Sequence, residues 1–350
     1  MFISYAQNCE DVLLNRIFKD QKSGFYIDVG AHHPINDSIT KSFYDRGWKG
    51  INVEPVKEFF DLLEKERTSD LNLNFAISDS EEKLDFFELL GTGLSTFNAD
   101  MAKELAQQRS LTLSQYTVST KTLANICRQY VSCPIDFLKI DVEGWEEKVI
   151  LGHDWEHFRP KIVIVEATIP DSPIRCQTQI PAFLKERNYQ QVYFDGLNDF
   201  YIAEEVHELA QYFQTPVNVF DNFVSFKVID QQQHIHNLET FLKRKDDEIL
   251  SLMKQIKESD RLLAILKNEK EDQSFEISRL RELLTKVQTE NNQQIQAYEK
   301  QICDLHSKIQ ALKSELFQSQ QWVKAMESSK FWKLRKRWFS FKEKVGLPSD

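Results

Sequence analysis

The sequence predicts an α/β fold, a mostly parallel sheet with helices on both faces, followed by a long coiled-coil helix. Three observations carry this expectation. Up to about residue 230, short apolar and often β-branched runs alternate with helical stretches, as expected of strands buried on both faces. From Gln231 to Met326 there is neither Pro nor Gly, and apolar residues recur with a seven-residue period. From Ser328 onward, seven Lys or Arg stand against only Glu343 and Asp350, interleaved with Phe and Trp. The expected divisions are therefore 1–230, 231–327 and 328–350.

In chain order, strands are expected at Phe25–Val29, Ile51–Glu54, Leu73–Ile77, Phe137–Asp141 and Ile162–Glu166. Helices are expected at Glu58–Arg67, Leu123–Tyr130 and Ile180–Arg187. Two later strands, near Val192–Asp195 and Phe200–Ala203, flank Gly196-Leu197-Asn198-Asp199 and suit a hairpin at one end of the sheet. In the heptad region Ile235, Leu242, Ile249, Ile256, Leu263, Ile277 and Leu284 fall at one repeating position. A second register begins at Ile295, and the 11-residue step from Leu284 is a stutter that holds Asn291 and Asn292. A straight helix over 235–326 would be a rod of about 140 Å, shared by two or three chains. The competing reading is a lone amphipathic helix folded onto the first domain.

Composition narrows the function classes. The formal net charge of −10 argues against general nucleic-acid binding, which needs a basic face. Cys9, Cys127, Cys133, Cys176 and Cys303 are odd in number and contain no C-x-x-C pair, so neither a disulfide framework nor a zinc site is suggested. His153 and His157 are four apart, but HDWEH is not H-E-x-x-H and a third ligand is lacking, so no metal site is expected. Glu10 and Asp11 interrupt the start as a signal peptide, and no run approaches the ~20 apolar residues of a membrane span. A cytoplasmic location is expected.

The residues with chemical potential lie at the ends of the expected strands, where ligands bind in open α/β sheets. The first ends in YIDVGAHHP. Asp28 can meet a cationic group there, and Gly30 lets backbone come close. There is no G-x-G-x-x-G, so little is shaped for a pyrophosphate. Glu54, ending INVEP, is placed to accept both hydroxyls of a ribose. Ser78 or Asp79 in AISDS could meet an adenine amino group, or form an ordinary turn. Asp141 and Glu143 in FLKIDVEGWE sit at the same sheet edge as Asp28 and Glu54; the bland alternative is a turn acid and a helix N-terminal acid. His32 or His33 could be a base of near-neutral pKa, or a loop-stabilising group.

Together YIDVGAHHP, GWKGINVEP, AISDS, GLSTF and DFLKIDVEGWE, in this order, resemble the FkbM-type family of S-adenosylmethionine-dependent methyltransferases. SYAQNCEDVLL and FDGLNDFYIAEE resemble one branch of it, so the likeness spans roughly 4–221. The resemblance implies a Rossmann-type methyltransferase sheet and methyl transfer, usually to oxygen and often on a sugar or polyketide. It implies cofactor contacts from Asp28, Gly30, Glu54 and Asp79, with Asp141 between cofactor and acceptor. One departure is that His32, His33 and Pro34 stand where many methyltransferases carry a further glycine. The expected base is Asp141 or Glu143, with His32, His33 and Glu166 behind them; Lys139 either pairs with this site or is a plain strand residue.

The expected function is O-methylation of a sugar or other hydroxyl acceptor in bacterial surface glycan synthesis. An NAD-dependent oxidoreductase or epimerase should show more glycines and a Tyr-x-x-x-Lys pair, which are missing. A coiled-coil tether whose globular domain only binds a nucleoside is the rival from another class. At the C-terminal end, Phe331, Leu334, Trp338, Phe341 and Val345 would share one side of a basic helix. Two readings stay open there: contact with an anionic membrane at the inner face, or docking on a partner such as a glycosyltransferase or capping of the coiled coil.

Overall fold

Runs of β-branched and aromatic residues set the core of the first of two units. The protein, described here from a computed structural model, is defined at residues 1–169, 172–176, 178–268 and 274–328. It divides into Met1–Phe226 and a second unit beginning at Lys227. The first unit opens with β1 (Phe2–Ser4), α1 (Glu10–Phe18), β2 (Phe25–Val29), α2 (Lys41–Asp45), β3 (Lys49–Val53), α3 (Lys57–Glu66) and β4 (Leu71–Leu73). An excursion follows: β5 (Ala76–Ile77), β6 (Lys83–Leu89), α4 (Ala99–Arg109) and β7 (Leu113–Lys121). The chain then continues through α5 (Leu123–Tyr130), β8 (Phe137–Ile140), α6 (Glu146–Leu151), β9 (Ile162–Glu166) and α7 (Ile180–Lys185). It ends with β10 (Tyr189–Phe194), β11 (Asn198–Ala203), two 3-10 turns and β12 (Phe223–Ser225).

Seven strands form the main sheet in the order β10-β11-β9-β8-β2-β3-β4. All neighbours are parallel except β11, which runs antiparallel to both β9 and β10. Alternating side chains feed two cores. Ile27, Val29, Leu138, Ile140, Val163 and Val165 pack with residues of α5, α6 and α7. Tyr26, Phe137, Ile162, Ile164 and Phe200 pack with residues of α1 and α2 on the opposite face. This is the expected α/β sheet with helices on both faces. Strand order reverses between β2 and β8, so a crevice opens beyond their carboxyl ends.

Two details differ from expectation. The anticipated hairpin exists, but its returning strand β11 is the inner one. All six of its residues are buried, with Phe200 and Ile202 facing one core and Tyr201 and Ala203 the other. Gln190 and Gln191 leave β10 fit only for the edge. The expected strand Leu73–Ile77 is broken in two. Asn74 donates to the carbonyls of Glu54 and Pro55 at 2.9 and 3.0 Å, and the chain turns out of the main sheet there. β5 then joins a separate sheet of order β5-β7-β6.

The second unit comprises α8 (Phe226–Asn268) and α9 (Ser274–Ser328). They pack antiparallel within one chain. Lys313 pairs with Glu239 at 2.8 Å, Lys245 lies 4.3 Å from the Tyr298 ring centroid, and Gln288 donates to Asp260. Ile235, Leu242 and Ile309 are buried together, backed by Leu238, Ile302, Leu305 and Leu312. The expected continuous rod is thus corrected to a folded-back pair of about 64 and 82 Å at 1.5 Å per residue. The stutter falls inside α9 and does not interrupt it. Farther from this seam, Leu262 and Leu283 are 49 % and 54 % exposed. Among the described residues, no helix is long and apolar enough to cross a membrane. The basic aromatic segment, from residue 329 on, lies outside the described residues.

Candidate active site

The turn after β2 is built by close backbone contact. Gly30 has φ +82°, and a Cβ there would fall 1.8 Å from the Asp141 carbonyl oxygen, so no other residue fits. His32 adopts φ +48° in the place where many methyltransferases carry glycine. Its backbone N–H donates to Glu54 Oε2 at 2.8 Å, and its ring packs on Phe59 at a centroid distance of 3.9 Å. Burial lowers the His32 pKa, which favours a neutral ring. His33 Nδ1 instead accepts the backbone N–H groups of Ile35 and Asn36. Arg67, buried beneath this loop, donates from Nε and Nη2 to the Pro34 carbonyl at 2.9 and 2.7 Å.

Glu54 is 4 % exposed. Its Oε1 accepts the Val56 N–H at 2.7 Å while Oε2 holds His32. Burial pushes its pKa up to about 7, with the two backbone donors opposing. Each oxygen keeps a further lone pair for a ligand. A partly open cavity lies beside it, lined by Gly30, His32, Glu54, Asp141 and Glu143 among others. Phe59, Phe75, Phe86 and Phe97 make much of its apolar wall, and Thr92, Gly93 and Ser95 reach it from the loop after β6.

Carboxylates gather on the side of β8 and β9. Lys139, 6 % exposed, donates to Asp141 Oδ2 at 2.6 Å. It stands directly opposite Asp28 in the β2–β8 register. Burial pulls the Lys139 pKa down, but Asp141, Glu10 and Asp28 outweigh it and raise it. Burial likewise pushes Asp141 up, and Lys139 outweighs it, so Asp141 stays ionised. Carboxylate oxygens of Asp141, Glu143 and Glu166 lie within 4.8 Å of one another. That spacing would admit a cation, and the positive charge present is the Lys139 ammonium. Glu143 is left-handed at φ +53°, Gly144 follows at +90°, and the Glu143 carbonyl accepts Thr96 Oγ1 at 2.7 Å. Glu146 closes the turn by accepting the N–H groups of Val142 and Gly144. Burial raises Asp28 to about 6 and Glu10 to about 7.

Residues 28–191 match the family model of the methyltransferase FkbM domain. The chain carries an FkbM methyltransferase domain. No match is found among curated proteins.

In this FkbM domain the expected site residues fall into two groups. Gly30, His32, Glu54, Asp141 and Glu143 line one cavity. Asp28, His33, Ser78 and Asp79 are not among its lining residues. Asp28 lies next to the site through Lys139, and Thr40 donates to it at 3.3 Å. Ser78 and Asp79 follow β5 of the small sheet rather than a strand of the main sheet, where Ser78 accepts from Trp145 Nε1 and Asp79 pairs with Lys148. His153 bonds the Phe158 carbonyl and His157 bonds Asp154, so the two histidines serve separate local turns. Glu10 and Asn198 were not anticipated. Asn198 donates to Glu10 Oε1 at 2.8 Å and stands opposite Glu166 in the β9–β11 register.

Proposed function

We propose that the protein is an S-adenosylmethionine-dependent O-methyltransferase acting on a sugar or other hydroxyl acceptor in bacterial surface glycan synthesis. The carrying observation is one cavity with a buried carboxylate, Glu54, on one side and the Asp141–Glu143 cluster on the other. Glu54 suits ribose hydroxyls, and the phenylalanine wall suits a flat base. Glu10, Asp28, Asp141 and Glu166 all act on or feel the buried Lys139 ammonium, and Glu143 adds a further carboxylate beside them, which favours a ligand bearing sulfonium and ammonium charge. The same charge would repel the pyrophosphate of a dinucleotide. When bound, S-adenosylmethionine supplies a methyl group already activated toward nucleophiles. The chain's own residues then hold the reactants in line, exclude water and take up a proton.

Calorimetry should show one site for S-adenosylmethionine and none for NAD. A strain carrying Asp141→Asn should lose a methyl group from its surface polysaccharide. The purified variant should keep cofactor affinity within about tenfold, or about 1.4 kcal/mol. Preferential NAD binding, or unchanged glycans, would count against the reading. Cofactor binding without methyl transfer would leave only a nucleoside-binding tether.

The exposed apolar residues toward the far end of the α8–α9 pair, Leu262, Leu280, Leu283 and Val287, favour pairing with a second chain. Light scattering on the full chain should give at least a dimer, and Leu262→Glu with Leu283→Glu should yield monomers. A monomeric parent protein would contradict this. The enzyme would work in the cytoplasm, with the basic aromatic segment 328–350 on the inner membrane face or on a glycosyltransferase.

A further inference from the structure

The carboxyl groups of the cluster beside the cavity are not held alike. Asp141 is taken by Lys139 at 2.6 Å, which makes it a stable anion and a weak base. Glu166, at the end of β9, has its carboxylate within 4.8 Å of those of Asp141 and Glu143, and those two line the cavity. We propose that Glu166 takes the acceptor's proton, and that it becomes able to do so only when a cationic nucleoside fills the adjacent cavity. This rests on the cofactor reading above.

The charges around Glu166 set the device. From β8 comes Lys139, from the turn after it Asp141 and Glu143, and from α6 Glu146. Beyond Lys139 lie Asp28 of β2 and Glu10 of α1, and His32 is close to Asp141. Burial raises the Glu166 pKa first, and the anions of Asp141, Glu143 and Glu146 raise it further against Lys139. With the cavity vacant Glu166 therefore keeps its proton and is no base. A cation within contact range, at an effective dielectric of about 20, moves a proton equilibrium by roughly a thousandfold. Glu166 then ionises and releases that proton to solvent. In the transfer the acceptor oxygen forms its bond to the methyl carbon, and the old carbon–sulfur bond leaves its electron pair on sulfur. The hydroxyl proton passes to the Glu166 carboxylate. Because the base is created by the first ligand, the acceptor reacts productively only after the cofactor has bound.

The test counts protons rather than turnover. S-adenosylmethionine is titrated into the full-length protein by calorimetry, with chelator present, in two buffers of different ionisation enthalpy. At about pH 8.5 Glu10 and Glu54 are already ionised, so they contribute little. Release should approach about one proton per site. S-adenosylhomocysteine, which lacks the sulfonium charge, should release distinctly less. Glu166→Gln should still bind S-adenosylmethionine but release almost none. Binding with equal heats in both buffers, or undiminished release by Glu166→Gln, overturns the proposal and leaves the cofactor reading intact. Failure of the parent protein to bind at all overturns both.

Discussion

Lys139→Met should cost about 3–5 kcal/mol of stability at neutral pH, the range for removing one partner of a buried ion pair. Lys139 lies on β8, the middle strand of the main sheet, and its ammonium is held by Asp141 at 2.6 Å. Methionine fills similar volume, so little of the loss is a cavity. What remains is an uncompensated group of acids, Asp28, Asp141 and Glu10, of which Asp28 and Glu10 are buried. The loss should shrink toward mildly acidic pH, where these acids can neutralise themselves by taking protons. Urea unfolding of parent and variant at two pH values measures this. A loss that stays below about 1 kcal/mol at neutral pH would mean Lys139 is only a strand residue with an accessible, solvated end.

Much of the fold was legible because buried parallel strands leave a strong local mark. Phe25–Val29 and Ile162–Glu166 have the expected bounds, and Leu123–Tyr130 is a helix with Thr122 as its N-cap. The excursion of β5, β6 and β7 was not legible. Its strands are half-exposed and mix charged with apolar residues, so their pairing depends on distant partners. The fold-back of the long helices left a usable signal. Residues 267–274, Lys-Asn-Glu-Lys-Glu-Asp-Gln-Ser, contain no apolar side chain, so one heptad has nothing to bury. Periodicity alone does not distinguish an intrachain seam from an interchain one.

The site divides in the same way. Gly30, Glu54, Asp141 and Glu143 could be placed because each ends or follows a main-sheet strand. Ser78 and Asp79 were misplaced together with the strand that carries them. Glu10 and Asn198 come from the start of α1 and from an antiparallel strand, 188 positions apart, and no local pattern joins them. Lys139 did carry a signal. A lysine within an apolar run on a central strand must find an anion, and the anion is two residues on.

Glu54→Ala should weaken S-adenosylmethionine binding and also destabilise the fold by about 2–5 kcal/mol, since two backbone donors lose their acceptor. The donors are the N–H groups of His32 and Val56, at 2.8 and 2.7 Å. An acid that only lined a cleft would be removable at little structural cost, but this one also pins the His32 turn. Glu54→Gln separates the two roles, because its amide oxygen can keep one donor and still meet a hydroxyl. It should cost less stability than Ala and retain part of the binding. The pH dependence gives a second signature. Burial raises the Glu54 pKa from 4.5 to about 7 in the folded protein. A raised pKa means the folded state holds the proton more tightly than the unfolded state does. The stabilisation from this group is therefore complete below about pH 4.5 and is lost as pH rises through about 7. In Glu54→Gln that loss is removed, so the fall in melting temperature between these limits should be shallower than in the parent protein. Parallel melting curves for the two proteins across this window would show that Glu54 is not the buried, titrating acid this site requires.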